Sequence, residues 1–90
     1  MLQIKKNNDK FDSLEEFTDN INRGGEIEFT YNNKNYSITH GQNGELYYTE
    51  AYNEAFAKAF NSIDELLEHR IDGREIRNIV TEMQPYFRCF

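Results

Sequence analysis

Gly25-Glu26-Ile27-Glu28-Phe29-Thr30-Tyr31-Asn32-Asn33-Lys34-Asn35-Tyr36-Ser37-Ile38-Thr39-His40 is the stretch that decides the fold. Ile27, Phe29 and Tyr31 alternate with Glu26, Glu28 and Thr30, the period of a half-buried strand. With Asn32-Asn33 as a two-residue hairpin turn, Tyr31 falls opposite Lys34, Phe29 opposite Tyr36 and Ile27 opposite Ile38. That register keeps the large apolar side chains on one face. A second turn follows at Gln42-Asn43-Gly44. A two-residue Asn43-Gly44 turn sets Tyr47 opposite His40. A three-residue loop with left-handed Gly44 sets Leu46 opposite His40 and Tyr48 opposite Ile38, and it is favoured because Leu46 and Tyr48 are then buried with Ile38.

Upstream, Phe11-Asp12-Ser13-Leu14-Glu15-Glu16-Phe17 is a helix start, with Ser13 as cap and Glu16 completing a capping box. Leu14, Phe17, Thr18 and Ile21 form one stripe, and Arg23 and Gly24 close the helix. Residues 1–10 read as a short edge strand or a loose arm. Downstream, Tyr52, Phe56 and Phe60 recur at helical spacing, while Phe56, Lys58 and Phe60 also alternate with alanines. The new cap that follows at once tips residues 51–60 towards a fourth strand. Phe60-Asn61-Ser62-Ile63-Asp64-Glu65-Leu66 repeats the cap signature, with Ser62 and Glu65 as the box. Asp72-Gly73-Arg74-Glu75 reads as a third cap, and Ile76, Ile79, Val80 and Met83 stripe a final helix that Pro85 ends. The aromatic tail over residues 84–90 is expected either to fold back over the core or to contact another chain.

The expected architecture is α+β, a small antiparallel sheet of three to four strands with an N-terminal helix and two C-terminal helices packed on one face, in one domain over residues 1–90. The Gly25-to-Tyr31 strand, the Tyr36-Ser37-Ile38 strand, Phe60 to Leu67, and Ile71-Asp72-Gly73-Arg74 leading to Ile79 resemble a group of small uncharacterised Firmicutes proteins with a strand meander, an aspartate-glycine turn and a terminal helix. The resemblance covers most of residues 11–83. It implies a fold and brings no activity with it.

Charge is unevenly spread in this chain of net charge −6. Residues 12–68 carry twelve acids against Arg23, Lys34 and Lys58, net −9, whereas the flanking segments are weakly positive. Duplex nucleic acid is repelled by such a surface, and a basic partner is attracted and steered to it. No apolar run reaches the roughly 18 residues of a membrane span and the N-terminus lacks the apolar stretch of a secretory signal, so a soluble protein without a signal is expected. With a single cysteine, Cys89, no intrachain disulfide is available, and a cytoplasmic location is expected.

Catalytic chemistry finds little support. His40 at a strand end and His69 in a last helical turn both have structural roles, and Cys89 lacks a context that would activate a thiolate. One cysteine and two distant histidines make no zinc pattern, no calcium-loop spacing occurs, and Gly24-Gly25 precedes a strand rather than a helix. No cofactor or metal is expected, and no enzymatic activity.

What remains is surface. Glu26, Glu28 and Thr30 share the outer sheet face with Asn35, Ser37, Thr39, Tyr47 and Thr49. Such a face can imitate phosphates and occupy a basic channel. The expected function is a protein-interaction domain, most concretely an acidic nucleic-acid mimic that inhibits a basic nucleic-acid-handling protein. Small phage-borne inhibitors of CRISPR nucleases are similar in size and charge. The partner-binding residues expected are Glu26, Glu28, Glu45, Glu50 and Glu54, with Tyr47 as aromatic anchor. The alternative is a self-associating or scaffolding protein that uses the tail or a sheet edge.

Overall fold

The computed structural model describes the backbone of residues 10–51 and 53–89, and the side chains of these except 53–56, 88 and 89. Of the arm expected over residues 1–10, only Lys10 falls among the described residues.

Strands β1 (Glu26–Tyr31) and β2 (Lys34–His40) pair antiparallel, with Tyr31 opposite Lys34, Phe29 opposite Tyr36 and Ile27 opposite Ile38. The turn between them holds Asn32 at φ 52° and Asn33 at φ 66°. Those are the two left-handed positions of a hairpin turn whose twist matches the strands, and asparagine tolerates them better than other residues with a side chain. Strand β3 (Leu46–Glu50) takes the register that buries Leu46 and Tyr48, opposite His40 and Ile38 respectively. The Gly41 N–H donates to the Glu45 carbonyl at 2.8 Å, closing a three-residue loop over residues 42–44, with Gly44 at φ 87°.

The segment that reads both as helix and as strand forms strand β4 (Asn53–Phe60). Leu46 pairs with Phe60, Tyr47 with Ala59 and Thr49 with Ala57, so the small residues share the face of Tyr47 and Thr49 while Phe60 enters the core.

Helix α1 (Leu14–Asn22) starts at Ser13, whose Oγ accepts from the Glu16 N–H at 3.1 Å, while the Glu16 carboxylate accepts from the Asp12 N–H at 2.7 Å. Helix α2 (Ile63–Glu68) repeats the device through Ser62 and Glu65. Two bonds close α1, from Gly24 N–H to the Ile21 carbonyl and from Gly25 N–H to the Asn20 carbonyl, and the chain passes directly into β1.

The third part departs from the sequence reading. Asp72 and Gly73, at φ 53° and 85°, are a two-residue turn joining strands β5 (Arg70–Ile71) and β6 (Arg74–Glu75), not a helix cap. Asp-Gly is among the strongest pairs for that turn, and the hairpin uses up the residues a longer helix needs. Helix α3 (Ile76–Ile79) is therefore a single turn that starts after Glu75 without a side-chain cap. Ile76, Ile79, Val80 and Met83 are all buried as their spacing requires, although only the first two lie in the helix.

The tail is a fifth strand of the main sheet, β7 (Gln84–Cys89), antiparallel to β1. The sheet order is β4-β3-β2-β1-β7, so it has five strands where three to four are expected, and β7 is an edge. Pro85 is buried opposite Phe29 within it. A proline lacks an N–H to donate and survives in a strand only on an edge, where that loss is tolerated. Of the two fates open to the tail, it takes a form of folding back, by pairing rather than by covering.

The result is two layers. Ile27, Phe29, Tyr31, Tyr36, Ile38, Leu46, Tyr48 and Phe60 from the sheet form one buried cluster with Phe11, Phe17, Ile21, Leu66, Leu67, Ile71, Ile76, Ile79, Val80 and Met83. Rings order its centre: Phe29 stacks on Tyr36 at 5.3 Å, and Phe11 meets Phe17 edge-on at 5.3 Å. The helices and the small hairpin lie on that face alone, and no described element covers the other, open face of the sheet.

Deleting residues 84–90 strips β1 of one partner and uncovers the edge of the core. The expected loss is about 2–4 kcal/mol, a handful of backbone bonds at about 1 kcal/mol each. Urea denaturation checks it, and an unchanged midpoint would contradict the pairing.

Candidate open sheet face

Strand alternation sorts the expected binding residues between the two faces. Glu26 and Glu28 lie on the open side of β1, each partly exposed. Around them are Thr30, Asn35, Ser37, Thr39 and Thr49, in a field of hydroxyls and amides. Thr30 donates to the Asn35 side chain at 2.8 Å, and Ser37 shares a hydrogen bond with Thr49 across the β2–β3 ladder. Neither Glu26 nor Glu28 makes a hydrogen bond or ion pair with another described side chain.

Glu45 and Tyr47 also lie on this side but are engaged with each other. The Glu45 carboxylate accepts from the Asn43 N–H at 2.8 Å and from the Tyr47 hydroxyl at 3.0 Å. Backbone donors and the tyrosine lower the Glu45 pKa, and the same bond raises that of Tyr47. Glu45 thus fastens the β2–β3 loop, and the Tyr47 ring remains 37% exposed.

Glu50 belongs to the other face. It pairs with Tyr36, one residue beyond Thr49, and accepts from the Tyr48 hydroxyl at 3.0 Å. Its neighbours are the core edge and His69, so it shares no surface with Glu26 and Glu28, as the period of two requires. The side chain of Glu54 lies outside the described residues.

The tail contributes what sequence reading did not assign to this face. Phe87 sits opposite Glu28, and between Glu28 and Phe29 the β1–β7 register shifts, leaving Tyr86 as the extra residue of a bulge. Tyr86 is 53% and Phe87 46% exposed. Partial burial raises the Tyr86 pKa, and the Glu28 carboxylate adds to the rise, which places that phenol within the reach of its field. The available signal was the aromatic tail itself; its pairing partner, nearly sixty residues earlier in the chain, was not readable from local pattern.

The cations lie elsewhere. Lys34 aligns with Tyr31 and Lys58 with Tyr48, on the core side of their strands. Arginines of the helical layer are matched locally: Arg23 to Asp19 at 3.0 Å, Arg70 to Glu75 at 3.7 Å, and Arg77 to Glu75 at 3.0 Å. Arg74 clamps both oxygens of Glu82 at 2.8 and 2.9 Å and also reaches the Asn78 carbonyl and the Tyr31 hydroxyl. No described lysine or arginine side chain stands on the open face.

The histidines serve the fold. His40 Nε2 lies 3.0 Å from the Gly25 carbonyl, joining the end of β2 to the start of β1. His69 packs at 4.5 Å from Tyr48 and 5.5 Å from Phe60. Among the described residues no three His, Cys, Asp or Glu side chains gather to hold a metal, and no helix is long and apolar enough to cross a membrane. No protein-family model, curated protein or solved structure matches the chain.

Burial, and secondarily the Lys58 charge, holds the His69 imidazole below 6.5, with Glu50 opposing. Between 6.5 and that lower folded value the unfolded chain takes up a proton that the folded chain refuses. The stability is whole above 6.5 and falls as pH drops through this window. NMR titration is expected to place the ring below 6.5, and His69→Phe to flatten the pH dependence of stability there. A ring titrating above 6.5 would overturn this.

Proposed function

We propose that the chain is a non-enzymatic protein-interaction domain that docks a basic protein surface on the open face of its sheet. The observation that carries this reading is the partition of charge. Glu26 and Glu28 stand without a described counter-ion on a face with no described cation, whereas the arginines of the helical layer are matched within the chain. Unmatched carboxylates on an open, rigid sheet steer a cationic partner and reward its arrival, since they have no internal bond to give up. Aromatic rings at the margins, Tyr47 on one side and Tyr86 with Phe87 on the other, add contact area at little entropic cost.

The concrete form of the reading is an acidic inhibitor or regulator of a nucleic-acid-handling protein, whose phosphate-binding channel has the required charge. Strand spacing suits such mimicry: Glu26 and Glu28, two residues apart, are about 6.5–7 Å apart along β1, close to the phosphate repeat of an extended strand of nucleic acid. Duplex nucleic acid itself is a poor ligand for this face.

The test is affinity capture from the native host's lysate with wild type and with Glu26→Lys/Glu28→Lys, washed at low and high salt. A basic protein held by wild type at low salt, released at high salt and missed by the double variant is the expected result. Capture that ignores both salt and charge reversal would remove the reading. Recovery of the chain's own copies alone would favour self-association through the same exposed rings.

A further inference from the structure

We infer that Glu28, Tyr86 and Phe87 form a subsite for a single arginine side chain of the docking partner. The inference rests on the open-face reading and specifies its chemistry.

Phe87 is directly opposite Glu28 in the β1–β7 ladder, on the open side. Cross-strand neighbours of this kind hold their Cβ atoms about 4.5–5.5 Å apart. The bulge adds Tyr86 beside the same carboxylate, and the rise in its pKa from the Glu28 charge agrees with that placement. A carboxylate with no described partner is thus flanked by two rings that are each about half exposed. Exposed rings at a sheet edge are costly to solvate unless something covers them, and the covering group must also answer a negative charge.

A guanidinium meets both demands. It is planar, so it can lie over one ring while its donor edge addresses both oxygens of a carboxylate. An ammonium supplies the charge without the flat face or the paired donors, and so the subsite discriminates between the two cations. Tyr47 cannot serve in the same way, because its hydroxyl and the nearest carboxylate, Glu45, are already joined. The tail strand therefore has a second task beyond closing the sheet: it carries the rings that turn a general acidic face into one that selects arginine.

The experiment titrates the full, isotopically labelled chain at low salt with acetyl-arginine amide and, separately, acetyl-lysine amide, following backbone NMR signals. Signals of residues 27–30 and 84–87 are expected to move, with the arginine compound acting at about threefold lower concentration, the scale of an exposed cation–π contact. Phe87→Ala is expected to remove the arginine advantage and keep the weak lysine response, and Glu28→Gln to weaken both. Equal midpoints for the two compounds, no response at these strands, or a preference that survives Phe87→Ala would overturn the subsite. Phe87→Ala leaves Glu26 and Glu28 in place. Salt-sensitive capture of a basic protein without any arginine preference therefore defeats the subsite alone, whereas capture indifferent to Glu26→Lys/Glu28→Lys defeats the open-face reading.

Discussion

Strand β1 must satisfy two neighbours with one set of side chains, and most of the molecule follows from that. It is hydrogen-bonded to β2 on one side and to β7 on the other, so its alternation fixes which residues of three strands face the helices. A slip of one residue would send Ile27, Phe29 and Tyr31 into water and Glu26 and Glu28 into the core. The cost of burying unpaired carboxylates makes such a slip prohibitive. The Asn32-Asn33 turn holds the register on one side. On the other, the bulge at Tyr86 lets Pro85 fall opposite Phe29 while Phe87 stays opposite Glu28.

The same alternation produces the division of labour between faces. One side of the sheet supplies eight of the buried side chains on which the helices rest, with Phe29 stacked on Tyr36 and Tyr36 packed at a tilt against Tyr48. Because the helices and the small hairpin all pack there, Arg23, Arg70, Arg74 and Arg77 each find a carboxylate within the same layer. On the open side Glu26 and Glu28 keep no described counter-ion. The charge partition behind the proposed function is thus a consequence of one-sided packing and did not need a dedicated binding motif.

Legibility in the sequence followed the range of the interaction. The Asn32-Asn33 hairpin, the three-residue loop at Gly44 and the capping boxes at Ser13 and Ser62 are all local, and each could be read from a few neighbouring residues. The Asp72-Gly73 turn was equally local but carried two signals, a helix cap and a hairpin turn. The hairpin prevails because Asp72 and Gly73 take the two left-handed positions of its turn, at φ 53° and 85°, where Asp-Gly is among the favoured pairs. Strand β7 was hidden for a different reason: Pro85 argues against a strand until its place at the sheet edge is known, and that place depends on a pairing far along the chain. The face of Glu26 and Glu28 was readable from period alone. Glu50, one residue past an open-face threonine, falls on the core side by the same alternation, and the Tyr86 and Phe87 rings join the face only through β7.

Among the described residues, one side of the sheet is both uncovered and negative. Paramagnetic NMR relaxation by a cationic and by an anionic nitroxide of similar size measures access and potential together, residue by residue. The cationic probe is expected to exceed the anionic one at the side chains of Glu26, Glu28, Ser37, Tyr47 and Thr49, with both probes leaving the buried side chains of Ile27, Phe29, Ile38 and Tyr48 untouched. Equal effects of the two probes on that face, or its protection from both, would show that it is not an open, negative surface.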